Sequence, residues 1–191
     1  MINNSDNDLY LTGQLLVAMP GMPDERFAKT VIYMCAHNEE GAMGLVLNQR
    51  LNSLTFSELL GQLDLDKEKL SIDVLLHFGG PVEAGRGFVL HTNDYHQEAT
   101  LEVDADLALT ATVDILKAIA QGKGPQKSLL ALGYAGWGPG QLDKEIRANG
   151  WLQVAGDPEL IFDTDLENKW KRAMQRLGID PRMLSDNMGH A

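Results

Sequence analysis

Two glycine-rich stretches hold the residues best suited to chemistry in this sequence. The first is Gly133-Tyr134-Ala135-Gly136-Trp137-Gly138-Pro139-Gly140, set between an apolar run and a polar stretch of helical character. A chain that leaves a strand through glycines and enters a helix offers free backbone N–H groups and the positive end of the helix dipole to an anion. It is not a Walker loop, because no Lys-Ser/Thr pair follows the last glycine, and it is not G-x-G-x-x-G. Asp143 and Glu145 at the helix start already complement the dipole. The plainer reading is a tight turn whose glycines let Tyr134 and Trp137 pack closely. The second stretch is Gly79-Gly80-Pro81, where the backbone either takes positive φ or lies close to another group. Arg86 and His91 follow and would help to hold a small anion. The candidate ligand-binding set is therefore Gly79, Gly80, Pro81, Arg86 and His91, with Gly136, Trp137, Gly138 and Gly140. Within it Trp137 would supply apolar cover and Arg86 a counter-charge.

Other residue types offer less. Cys35 and His37 are two apart on an expected strand and so share a face. A metal would need two more ligands, and no C-x-x-C or H-x-x-x-H supplies them nearby. A Cys–His nucleophile pair is the reactive reading; a buried thiol beside a polar strand-end residue is the structural one. No serine stands in G-x-S-x-G. His77, His91 and His96 lack metal spacing and read as structural histidines. No metal and no cofactor is expected. Lys169, Lys171, Arg172 and Arg176 form the basic cluster. Their place in the second half of a helix, where cations offset the dipole, marks a solvated face.

The elements that position these residues follow from pattern. Gln14 to Met19 is a short apolar run halted by Pro20-Gly21-Met22-Pro23. Thr30 to Ala36 reads as a strand, Asn38-Glu39-Glu40-Gly41 as a turn, and Ala42 to Leu47 as the returning arm of a hairpin. Thr55-x-x-Glu58 is a capping box flanked by a Leu54/Leu59 staple, opening a helix to about Leu63. Ile72 to Phe78, Gly87 to His91, Thr100 to Val103 and Ser128 to Leu132 read as strands. Val113, Leu116, Ile119 and Ala120 have helical spacing, closed by Gly122 and Gly124. A polar helix is expected from Gln141 to Ala148, then short strands at Trp151 to Ala155 and Leu160 to Phe162. Thr164-x-x-Glu167 would cap a last helix with Leu166, Trp170, Ala173, Met174 and Leu177 on its apolar face. Strands and helices mix without strict alternation, which points to α+β.

Length and composition fit one ordinary domain: 191 residues, 44% apolar and 23% charged. The net charge of −11 disfavours nucleic acid as a partner. A single cysteine excludes an intrachain disulfide and suits a reducing compartment. No basic start with a long apolar stretch marks a secretory signal, and no segment nears the ~20 apolar residues of a membrane helix. The expectation is a cytoplasmic protein with no membrane partner. Residues 1–8 read as a flexible tail and 9–191 as one domain.

Several blocks together resemble the bacterial AlgH/YqgE family. They are Thr12-Gly13-Gln14-Leu15-Leu16-Val17-Ala18-Met19-Pro20, Asn38 to Asn48, His77-Phe78-Gly79-Gly80-Pro81-Val82-Glu83 with Val89-Leu90-His91, and Leu132 to Leu142. Trp170, Leu177-Gly178 and the ending Gly189-His190-Ala191 also fit. The family often has proline two residues after Asn48, whereas this chain reads Asn48-Gln49-Arg50-Leu51. The resemblance implies an α+β fold, a single domain with a strongly curved, partly barrel-like mixed β-sheet flanked by helices. It brings no catalytic residues; its name implies a regulatory role, from alginate production. The leading expectation is a non-enzymatic protein that binds a small anion or a protein partner. The rivals are an enzyme acting on a small phosphorylated metabolite at the glycine stretches and a regulator that binds DNA directly.

Overall fold

The computed structural model describes residues 10–65 and 72–185. The tail expected at residues 1–8 and the Gly189-His190-Ala191 ending lie outside the described residues. In chain order the elements are β1 (Leu15–Ala18), β2 (Val31–Asn38), β3 (Gly41–Val46), α1 (Phe56–Gln62), β4 (Leu76–Phe78), β5 (Val82–Thr92), β6 (Leu101–Glu102), β7 (Leu107–Thr110), α2 (Val113–Ala120), β8 (Ser128–Trp137), α3 (Gln141–Arg147), β9 (Trp151–Val154), α4 (Pro158–Ile161), α5 (Leu166–Arg176) and α6 (Pro181–Ser185). The fold class is α+β. The chain forms two compact units, one from the segments ending at Asn48 and beginning at Gly136, the other from Gln49–Ala135.

In the first unit the strands run β3-β2-β1-β9, each pair antiparallel. The β2–β3 hairpin forms where the sequence places it. The Asn38 side chain accepts the Glu40 N–H at 2.9 Å and closes the turn. All four residues of β1 are apolar and buried, the signature of a strand covered on both faces. Helix α5 lies against β1 and β2. Its Trp170 is buried and donates its indole N–H to the Ala18 carbonyl at 2.8 Å. Two expectations change here. Leu160 to Phe162 is not a strand, because Asp157 accepts the Glu159 N–H and Pro158 fills the first helical position, so the chain turns into α4. The cap of α5 is Asp165, bonded to the Asn168 N–H, in place of the Thr164 box.

In the second unit the strand order is β6-β7-β5-β8-β4, with β4 parallel to β8 and the other pairs antiparallel. The capping box at α1 is complete: Thr55 Oγ1 accepts the Glu58 N–H and Glu58 Oε2 accepts the Thr55 N–H. Phe56, Leu60, Leu76, Val89, Ile115, Ile119 and Leu130 form one core cluster, with Leu54 and Leu59 packed into it. Fully burying a side chain of this kind contributes about 1.5–3 kcal/mol. Strand β4 is shorter than expected, beginning at Leu76, and Ile72 is exposed. The segment after Asn48 follows β4: the Phe78 N–H reaches the Gln49 carbonyl and the Leu51 N–H the Leu76 carbonyl, both at 2.9 Å. Strand β7 was not anticipated. Strand β8 continues through Gly133 and Gly136 to Trp137, where a loop was expected.

Candidate functional site

In the second unit, Gly79 and Gly80 cross β8 at Gly133–Ala135 with backbone against backbone. The Gly79 N–H donates to the Leu132 carbonyl at 2.8 Å. A Cβ on Gly79 would collide with the Gly133 carbonyl, and one on Gly80 (φ 152°) with the Tyr134 backbone. Reciprocally, a Cβ on Gly133 (φ 72°) would collide with the Gly80 carbonyl. These glycines bring two strands closer than any side chain permits.

Pro81 is exposed beside this crossing. Strand β5 then bulges: Val82 pairs with Tyr134 and Gly87 with Leu132, so residues 83–86 stand out of the ladder. Glu83 takes φ 47° within the bulge. Arg86, with its side chain 54% exposed, lies 3.6 Å from the Glu83 carboxylate. Its guanidinium sits 5.2 Å over the Phe88 ring, which meets Tyr134 edge-on. His91, by contrast, is buried. Its Nδ1 faces the Thr92 carbonyl at 2.9 Å, which only a protonated Nδ1 can serve. Nε2 therefore accepts from the Thr110 hydroxyl at 2.8 Å, and Thr110 in turn accepts from Thr100. Burial pushes the His91 pKa down, so the ring stays neutral.

In the first unit, Gly136, Gly138, Pro139 and Gly140 are exposed while Trp137 is buried. The Trp137 and Trp151 indole N–H groups both donate to Glu145 Oε2 at 2.9 Å. Gln141 donates to Glu145 Oε1 at 3.1 Å and accepts the Gly138 N–H at 3.0 Å. The two indoles meet edge-on at 6.1 Å. Trp137 is thus part of the packing beneath the glycines. Gly140 (φ 66°) has open space where a Cβ would stand. The bond from each indole to Glu145 escaped the sequence analysis, which read that carboxylate as a dipole partner alone.

The remaining candidates are engaged in structure. The Cys35 thiol is buried and its pKa is pushed up to about 12 by desolvation. The β2–β3 register shifts between Met34 and Ala36, at Cys35. His37 is buried and its Nδ1 accepts the Leu11 N–H at 3.1 Å. His77 Nδ1 bonds the Leu130 carbonyl at 3.1 Å, and the exposed His96 pairs with Glu102 at 2.9 Å. Among the described residues no group of three or more His, Cys, Asp or Glu is placed to hold a metal ion.

Of the basic cluster on α5, Lys171 and Arg176 are exposed and Arg172 is half-buried, but Lys169 does not belong to a solvated face. Lys169 is fully buried, and its ammonium donates to the Ile161 carbonyl at 2.8 Å and the Leu47 carbonyl at 3.4 Å. Desolvation lowers its pKa to about 8. Arg172 pairs with Asp163, and Arg176 with Asp157. The signal was present in the spacing: Lys169 falls three after Leu166 and four before Ala173, on the apolar stripe itself.

Comparison with known proteins places the whole arrangement. An AlgH-like family profile matches residues 15–182. The chain belongs to the AlgH-like family. A UPF0301 protein of Rhodospirillum rubrum is 58% identical over 95% of each chain. One from Methylocella silvestris is 56% identical over 95% of this chain and 92% of its own. The solution structure of AlgH from Pseudomonas aeruginosa superposes with a TM-score of 0.77 at 45% identity, covering 95% of this chain and 96% of that one. The crystal structure of a Corynebacterium diphtheriae protein, 21% identical, superposes with a TM-score of 0.73 over 92% and 91% of the two chains and shows the same fold.

Proposed function

We propose that this chain acts by binding a small anion or a protein partner, in a regulatory capacity, and performs no covalent chemistry of its own. The observation that supports this reading is the state of its reactive groups. The Cys35 thiol is buried with a raised pKa, both ring nitrogens of His91 are bonded, and the Lys169 ammonium is spent on two carbonyls. What faces solvent instead is recognition material. In the second unit it is Pro81 and the bulge that carries Arg86 on Phe88. In the first it is the backbone of Gly136, Gly138 and Gly140. Gly79, Gly80, His91 and Trp137 are buried. The net charge of −11 disfavours DNA as the partner. The cytoplasm is the compartment we assign, since one buried thiol suits reducing surroundings. Among the described residues no helix is long and apolar enough to cross a membrane.

The test is a thermal-shift screen against phosphorylated metabolites and other small anions, with every hit followed by phosphorus NMR. A ligand that raises the melting temperature and stays chemically intact, with the shift lost in Arg86→Ala or Gly138→Val, supports binding. A compound that is consumed by the protein overturns the reading in favour of an enzyme.

A further inference from the structure

We propose that His37 is a pH-operated latch on the segment Tyr10–Gly13. His37 stands at the end of β2, opposite Ala42 of β3. Three contacts fasten the segment to it. The Leu11 N–H donates to His37 Nδ1 at 3.1 Å, the His37 N–H donates to Thr12 Oγ1 at 3.0 Å, and the Tyr10 ring meets the imidazole edge-on at 5.3 Å. The first is the one that a proton on Nδ1 would break. A backbone N–H can donate to Nδ1 only while that nitrogen carries no proton, so the ring is neutral with its proton on Nε2. That N–H lies 3.9 Å from Asp143 Oδ1 of α3.

Protonation reverses the balance. An imidazolium presents N–H groups at both nitrogens, so Nδ1 would face the Leu11 N–H donor to donor. The bond is lost, and the Leu11 amide stands unpaired in a buried place, since Leu11 is 6% exposed. The new charge is meanwhile attracted by Asp143. Tyr10 contributes a neutral phenol, the facing residue of β3 is Ala42, Cys35 on the same strand holds a neutral thiol, and Glu39 and Glu40 in the following turn are exposed. The cation thus favours the state in which the segment has left the ring. The neutral ring favours the state in which it is docked. Gly13, whose N–H bonds the Met34 carbonyl at 2.8 Å, is the inner end of the hinge. Acidification that protonates the ring therefore releases residues 10–12.

Amide hydrogen exchange of the full chain at pH 8 and pH 5, corrected for intrinsic exchange rates, tests the latch. Protection at Leu11 is expected to fall at least tenfold at pH 5, with β2 unaffected. In His37→Asn the Oδ1 atom stands in for Nδ1 as a fixed acceptor, and protection there becomes independent of pH. In Asp143→Asn the release midpoint moves to lower pH. Constant Leu11 protection in the native protein, or an unchanged pH response in His37→Asn, overturns the proposal. Nitrogen NMR of the native His37 ring gives an independent check should the variants fail to fold. An unprotonated Nδ1 at pH 8, and a titration midpoint that coincides with loss of Leu11 protection, are required. A midpoint that does not coincide refutes it.

Discussion

Replacing Lys169 by Met should change the sign of its effect on stability with pH. Lys169 has no carboxylate partner in the bonds it makes; its ammonium is buried against two carbonyl groups. Its pKa is lowered to about 8 in the folded chain, from the ordinary lysine value of 10.5 that the unfolded chain keeps. Between those values the unfolded chain binds more protons, so stability rises with pH through this window. The difference of about 2.5 pH units corresponds to roughly 3 kcal/mol, absent near pH 7 and regained by about pH 10.5. Met removes the buried charge but leaves the Leu47 and Ile161 carbonyls without their donor, at ~1 kcal/mol each. At pH 7 the variant should therefore be more stable by ~1 kcal/mol. At pH 10.5, where the native amine is neutral and still donating, it should be less stable by ~2 kcal/mol. Urea denaturation of both proteins at several pH values isolates the effect, because every other titrating group cancels in the difference. A difference that does not vary with pH would refute the claim that Lys169 is buried as a charge.

Trp170→Ala should cost ~3–5 kcal/mol by removing a buried indole and its bond to Ala18. In a chain of this size the melting temperature should drop by several degrees or more in a thermal scan; a shift below one degree would show the ring to be dispensable. Gly80→Ala should destabilise far more than Gly138→Ala in chemical denaturation. The first puts a Cβ into the Tyr134 backbone at positive φ, whereas the second meets only the end of the Gln141 side chain. Cys35, with its pKa near 12, should resist thiol reagents at pH 8 until denaturant is added; prompt labelling of the native protein would show that the strand is open.

Where local signals agreed, the sequence was a sufficient guide. The β2–β3 hairpin, the Thr55 capping box and α2 all stand where turn chemistry, side-chain reach and 3.6-residue periodicity put them. The misreadings have identifiable causes. Leu160-Ile161-Phe162 has strand composition, but Asp157-Pro158 just before it is a helix start, and the cap prevailed. Gly133 to Trp137 has loop composition, yet those glycines serve a long-range crossing with Gly79-Gly80, and a close approach between distant segments leaves no local trace. For the candidate site the pattern was similar. Arg86 and the Gly138–Gly140 stretch, candidates from residue type alone, are exposed. The burial of Trp137 and His91 depends on partners, Glu145 and Thr110, that only the folded chain brings near.

The first unit closes only when its two chain segments meet, and this orders events during synthesis. Strand β1 pairs with β9, so Leu15 waits for Val154 to be made. More than 100 residues separate the completed β3 hairpin from β9, a delay of ~5–20 s at typical translation rates. Throughout it, one edge of β1 is an open ladder of unpaired amides and carbonyls flanked by apolar side chains, the kind of edge on which other chains pair. The second unit is contiguous and carries no such wait. On a ribosome stalled well past Ala135, its amides should already be protected while those of β1 facing β9 still exchange freely. A slower translation rate should therefore raise aggregation of this chain through the open edge of β1.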